Sequence, residues 1–299
     1  MIVDKVLTVF ERFRMNSLEI DEYEQKGKPL LREKMSKFIG NNEPIRFSIL
    51  GFPMKSPNSR DKVIGTMPDM AEQVTIQTFK DFAREVEEVY PPGIMLAVIS
   101  DGLVFNDIMQ VSDTTVMEYQ QRNVQLVGDA PIKWYNAFDF YGQDISIASI
   151  RNKITEQFGI SKVELERRIL MDPDVNMLYR GMIKFMNLDL AIRQFPSKTQ
   201  LQKNAKITAK QMMFRNEAYS ALIRSEFSDH IRLSMHHSVN NGTKYSFQLI
   251  RSTGNIFTSA WHCAIAIVDD VVHTMHKRDA IAQGFELVSI DGQPYHFQK

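Results

Sequence analysis

Three short apolar runs, Phe47 to Leu50, Ile94 to Ile99 and Ile132 to Phe138, alternate with two stretches of helical periodicity. That alternation constrains the fold more than any other feature of the chain. The first helical stretch opens at Asp69 or Met70, carries Val74, Phe79, Phe82, Val86 and Val89 on one face, and stops at Pro91-Pro92-Gly93. In the second, Asp113 caps a face made by Val116, Tyr119, Val124 and Val127. Strand, helix, strand, helix, strand at this spacing is the βαβ rhythm of an open α/β sheet, and continuous apolar strands imply that both sheet faces are covered.

The flanking segments follow different patterns. Val3, Val6, Leu7, Phe10 and Phe13, then Leu30, Leu31, Met35 and Phe38 after a Lys-Gly-Lys-Pro break, make residues 1–40 a helical cap. Residues 144–230 read as long helices, with Val163, Ile169 and Leu170 in one, Leu178, Met182, Phe185 and Met186 in another, and Met212, Met213, Tyr219 and Leu222 in a third. From residue 231 to 299 the pattern is mainly β: Ile231 to Met235, Lys244 to Ile250 and Ala260 to Val268 are strand candidates, Asn240-Asn241-Gly242 reads as a hairpin turn, and a last pair flanks Asp291-Gly292. With no internal repeat or low-complexity tract, residues 1–299 read as a single domain. Its expected class is α/β, a Rossmann-like open sheet over 46–140 with a helical insertion and a C-terminal β segment.

Charge and composition exclude several functions. Lys plus Arg and Asp plus Glu both number 36, so no overall field favours nucleic acid or an acidic membrane. One cysteine, Cys263, cannot form an intramolecular disulfide. No apolar run reaches the ~20 residues of a membrane span. The N-terminus carries Asp4, Lys5, Glu11 and Arg12 in place of a signal-peptide core. The expectation is a soluble, cytoplasmic protein. The chain contains neither a G-x-G-x-x-G nor a P-loop sequence, so an α/β sheet here does not imply a nucleotide.

Ligands of open α/β sheets collect beyond the carboxyl ends of the strands. That rule selects Gly51 to Asn58, Ser100 to Gly102 and the neighbourhood of Asp139. The first loop carries Lys55, with Arg60 and Lys62 close behind. An ammonium plus a guanidinium suits a phosphate dianion, and a solvated basic loop is the ordinary alternative. Asp101, after six apolar residues, is aimed out of a sheet's carboxyl end, either as a proton acceptor or as a turn cap. Arg232, Ser234 and His236 share a strand face, which is either a site or the wet side of a sheet; Lys244 lies in the same segment. His262 is either a satisfied core histidine or the best acid/base group in the chain. As strand neighbours, His262 and Cys263 would face opposite ways, against a Cys-His pair. His273 and His276 have a helical metal spacing with no third ligand nearby, so no metal site is expected.

Taken in order, Gly51-Phe52-Pro53-Met54-Lys55-Ser56-Pro57-Asn58, Pro68-Asp69, Ser100-Asp101-Gly102-Leu103-Val104-Phe105-Asn106-Asp107, Tyr179-Arg180-Gly181 and Ile231-Arg232-Leu233-Ser234-Met235-His236 resemble the isocyanide (isonitrile) synthase family, also called the pyoverdine/dityrosine biosynthesis family. The resemblance runs from about residue 46 to 268. It implies a lyase-type enzyme of secondary metabolism that converts the amino group of L-tyrosine or L-tryptophan to an isonitrile. The carbon comes from C2 of ribulose 5-phosphate, without metal or organic cofactor, and a downstream oxygenase acts on the isonitrile. Alternatives are N-formylation of tyrosine and a non-catalytic sugar-phosphate or amino-acid binding protein. The resemblance assigns the phosphate to Lys55, Arg60 or Lys62, the substrate carboxylate to Arg180 and Arg232, proton transfers to Asp101, His236 and His262, and electrostatic support to Lys244, with Lys55 counted among the catalytic groups beside Asp101, His236 and His262. His237 stands where the family has proline, and Thr258-Ser259-Ala260-Trp261-His262 departs from a Thr-Pro-Trp-His pattern.

Overall fold

The computed structural model is described for residues 1–16, 20–191, 196–251 and 259–299. In chain order the elements are α1 (Ile2–Phe13), α2 (Lys28–Gly40), β1 (Ile45–Leu50), α3 (Met70–Glu87), β2 (Ile94–Ile99), α4 (Gly102–Met109), α5 (Asp113–Val127), β3 (Ile132–Tyr135) and α6 (Ala137–Tyr141). Then come α7 (Ile147–Phe158), α8 (Lys162–Met171), α9 (Pro173–Leu190), α10 (Lys198–Glu226), β4 (Ile231–Ser234), β5 (Tyr245–Ser246), β6 (Ala264–Val268), β7 (Val271–Met275), α11 (Lys277–Ala282), β8 (Glu286–Ile290) and β9 (Gln293–Gln298).

The central sheet is five-stranded with order β3-β2-β1-β4-β5, and each neighbouring pair is parallel. The chain therefore builds outward from β1 in one direction, then returns through the helical insertion α7–α10 to build the other side. The order reverses at β1 and β4, so the loops leaving these two strands diverge and open a crevice between them. One sheet face, bearing Phe47, Ile49, Leu96, Val98, Ile231, Leu233 and Tyr245, packs into a core with α1 and α3. Phe10, Phe47, Phe82 and Phe247 pack there with ring centroids 5.3–6.3 Å apart, Phe10 stacked on Phe47 and the other pairs edge-to-face. The opposite face, through Ala97 and Ile99, packs against α4, α7, α9 and α10. A second sheet, β7-β6-β9-β8, is mixed: β6 and β9 are parallel while the outer pairs are antiparallel.

Several local expectations change in the folded chain. Asn240–Gly242 is not a hairpin, because β4 and β5 run parallel and the intervening residues must cross back along the sheet. Asn240 is buried there, its side chain accepting from the Ser246 amide and donating to the Met15 carbonyl. The run from Ala260 splits into a 3-10 turn, Ala260–His262, followed by β6. His273 lies on β7 and His276 precedes α11, so the two do not share a helix. Asn136 ends β3 early by capping α6 with a bond from the Phe138 amide, and Ser112, not Asp113, caps α5. Val163, Leu170 and Leu178 are exposed on their helices and do not belong to the core. Among the described residues no helix is long and apolar enough to cross a membrane.

Candidate active site

A cavity of about 480 Å³ opens beyond the carboxyl ends of β1, β2 and β4, where the strand order places it. Pro53 to Pro57 form one wall, Asp101 and Phe105 a second, Met182, Phe185 and Asp189 of α9 a third, and Met235, His236, Trp261 and His262 the fourth. The loop after β1 turns sharply because Phe52 adopts φ 53°, a left-handed conformation that only surrounding packing holds in place. That packing is aromatic: the Phe52 ring lies 5.0 Å from Trp134 and 5.1 Å from Trp261. The loops after β1 and β2 touch directly, since a Cβ on Gly102 would stand 1.9 Å from the Pro53 carbonyl oxygen. Ser100 Oγ ties them further by donating to the Phe52 carbonyl at 2.9 Å.

Lys55 borders the cavity, but its ammonium is already engaged. Nζ lies 2.7 Å from both Asp69 Oδ2 and Glu72 Oε2, and all three side chains are buried. Burial opposes the charged amine, yet the two carboxylates outweigh it and hold Lys55 above the usual lysine range. Asp69 and Glu72 also form the capping box of α3, and Glu72 accepts a 2.9 Å bond from the Tyr119 hydroxyl. Burial lifts the Asp69 carboxyl to about 7 against the pull of Lys55.

Lys62 is similarly satisfied. Its Nζ is 2.5 Å from Asp189 Oδ1 and 4.5 Å from the Phe185 ring centroid. Ser56 Oγ donates to the same oxygen at 2.9 Å, while Asp189 Oδ2 is buried with no partner among the described residues. Arg60 is exposed, pairs with Asp61 at 2.9 Å and does not line the cavity. Each of the three cations expected to hold a phosphate thus has a carboxylate partner already, Lys55 and Lys62 in the interior and Arg60 at the surface. A basic loop is legible in sequence; the carboxylates that reach it from residues 69, 72 and 189 are not.

The acid/base candidates fare differently. Asp101 precedes α4 without capping it, its Oδ1 has no partner among the described residues, and burial pushes its carboxyl up to about 7. His262 stands edge-on to Phe185 at 4.9 Å with Nδ1 unpartnered among the described residues. Burial, reinforced by Lys62, His236, Lys55 and His276, holds its imidazole well below the ordinary value and keeps it neutral. Cys263 is buried in the core beside the turn and, lying outside the cavity, makes no pair with His262; a 3-10 turn, not strand alternation, separates them. His236 sits past the end of β4 and lines the cavity, its basicity lowered by desolvation and by neighbouring Lys244 and His237. Arg180 is exposed on α9 and outside the lining, whereas Gly181 and Met182 beside it face the cavity. Arg232 lies half-buried on β4 and Lys244 exposed immediately before β5, and neither lines the cavity. Among the described residues no group of three or more His, Cys, Asp or Glu is placed to share a metal ion.

Asp189 and Phe185 carry no sequence motif, yet with Met182 they recur at three- and four-residue spacing along α9 and so project from one side of it. That spacing is the signal by which they could have been found.

An α/β sheet with a mostly apolar cavity at its switch point, furnished with a few unsatisfied polar atoms, defines a small-molecule site. Residues 35–288 match the pyoverdine/dityrosine biosynthesis protein family, and the chain belongs to it. It is 30% identical to isocyanide synthase xanB of Aspergillus fumigatus over 98% of its own length but only 41% of that protein, so it spans less than half of that relative. L-tryptophan isonitrile synthase AmbI2 of Fischerella ambigua is 29% identical over 89% of this chain and 81% of its own. The crystal structure of the PvcA protein from Pseudomonas aeruginosa superposes with a TM-score of 0.93 at 26% identity, covering 100% of this chain and 99% of that one.

Proposed function

We propose that this protein is an isonitrile synthase that converts the amino group of an aromatic amino acid, L-tryptophan or L-tyrosine, using ribulose 5-phosphate as carbon donor. One observation carries the reading: three buried polar atoms without protein partners among the described residues, Asp101 Oδ1, Asp189 Oδ2 and His262 Nδ1, belong to side chains that line one mostly apolar cavity. A buried acceptor left unsatisfied costs about 1–3 kcal/mol, which a substrate's own donors would recover. Family membership and the names of the relatives support the same chemistry.

The residues suit the steps. Asp189, with one oxygen held by Lys62 and Ser56, offers the other to the substrate ammonium. Neutral His262 takes a proton from that ammonium, freeing the amine to attack the ketone of the donor. Asp101, protonated to about neutral pH, gives a proton to the carbinolamine oxygen so that it leaves as water. Phe105, Met182, Phe185 and Trp261 supply apolar and aromatic surface for the substrate side chain. Lys55 and Lys62 hold the walls of the cavity in place, with Lys62 also orienting Asp189. The test is incubation with a panel of amino acids and ribulose 5-phosphate labelled at C2. Labelled isonitrile is the expected product, and its absence with every amino acid would overturn the proposal.

A further inference from the structure

Phe185 touches more of the cavity's chemistry than an apolar lining residue needs to. It lies one helical turn before Asp189 on α9, so the two side chains project from the same side of the helix. The Lys62 ammonium stands over the Phe185 ring, 4.5 Å from its centroid, while it bonds to Asp189 Oδ1. The His262 imidazole meets the same ring at 4.9 Å, with the two planes at 87°. Both contacts are of the kind an aromatic quadrupole favours: a cation over the face, and a second ring perpendicular to it. A histidine is ordinarily oriented by the hydrogen bond one ring nitrogen makes, yet His262 Nδ1 has no partner among the described residues. Its orientation is left to ring contacts, with Phe185 and, at 6.1 Å, with Trp261. Asp189 Oδ2 is equally unpartnered, so the position of that oxygen depends on how Lys62 and Ser56 hold its neighbour.

We infer that Phe185 is a positioning residue: its one ring sets where the His262 imidazole and the Lys62–Asp189 pair stand relative to each other, so that His262 Nδ1 and Asp189 Oδ2 meet the same amine. The identity of that amine rests on the isonitrile-synthase reading; the contacts of the ring do not. An aliphatic side chain in its place fills part of the space but offers neither a π face to the ammonium nor a quadrupole to the imidazole. Phe185 is part-buried and faces the cavity, so its replacement removes these two contacts without opening the packed core.

The test compares Phe185→Leu with Phe185→Tyr and with Phe185→pentafluorophenylalanine, which keeps the ring's size and reverses its quadrupole. Phe185→Leu and the fluorinated variant are expected to lower kcat about a hundredfold with KM for ribulose 5-phosphate unchanged, and Phe185→Tyr to restore most of the loss. A rise in the amino-acid KM at unchanged kcat would make Phe185 substrate surface only and overturn the inference. Carbon-labelled histidine followed by NMR, with the His262 resonance assigned from His262→Gln, asks the same question without turnover. In the wild type, burial and then Lys62 with its partner Asp189, His236, Lys55 and His276 surround this ring and hold its titration well below 6.5. In Phe185→Leu water reaches the imidazole and its titration moves up toward 6.5, whereas Phe185→Tyr leaves it in place. In the fluorinated variant, which keeps the packing, the His262 resonance moves because the ring no longer holds the imidazole. A His262 signal unchanged in both variants ends the inference, whether or not the wild type forms an isonitrile. A changed signal supports it even where no isonitrile is formed, an outcome that removes the proposed reaction and leaves the positioning contact standing.

Discussion

The Lys55 ammonium donates to the Ala260 carbonyl at 3.3 Å, joining the loop after β1 to the turn that carries His262. The Ser56 amide reinforces the link with a 2.9 Å bond to the Trp261 carbonyl. A lysine conspicuous in sequence as a candidate catalyst thus stands at the centre of a buried ion cluster that positions another one.

Removing Lys55 should therefore act first on stability. Lys55→Met leaves Asp69 and Glu72 buried without a counter-charge, a loss of roughly 3–5 kcal/mol in denaturant unfolding. Adding Asp69→Asn and Glu72→Gln should return most of it. Were Lys55→Met as stable as the wild type, the cluster would have no structural role.

Asp101 gives a signed pH dependence. Its carboxyl is raised to about 7 from 3.8, so the stability gained by keeping it protonated is full below pH 3.8 and is lost as pH rises through about 7. Asp101→Asn does not ionise. Its melting temperature should gain on that of the wild type between these pH values by a few degrees, while turnover falls by about 10²–10⁴. Parallel melting curves across this range would show that Asp101 is not a buried acid.

For His262 the sign reverses. A pKa depressed below 6.5 means that the neutral buried ring contributes stability above pH 6.5, which is lost as pH falls. His262→Gln should remove part of the acid sensitivity below 6.5 and lower turnover by about 10²–10⁴, leaving the KM of ribulose 5-phosphate little changed. An unaltered acid limb in melting experiments would count against a neutral, desolvated ring.

Gly102 tests the contact between the two loops. In Gly102→Ala the new methyl would collide with the Pro53 carbonyl at 1.9 Å and with Val116 Cγ1 at 2.7 Å. The backbone must give way, with an expected loss of about 1–3 kcal/mol and a displaced cavity wall. Unchanged stability and unchanged KM values would show that the loops are free to separate.

Periodicity and turn chemistry along the chain determined the three leading strands, the helix from Met70, the helical insertion and the emergence of ligand loops at strand ends, because these follow from local alternation and from residues close in sequence. They also marked Asp101 and His262, each next to an apolar run. What only the tertiary structure decided was the company each group keeps. Lys55 and Lys62 read as free cations until Asp69, Glu72 and Asp189 arrive from other elements to neutralise them. Asn240-Gly242 read as a hairpin until the parallel pairing of β4 with β5 required a crossover. Charge compensation and strand direction are set by contacts between segments distant in the chain, and no local pattern of residues records them.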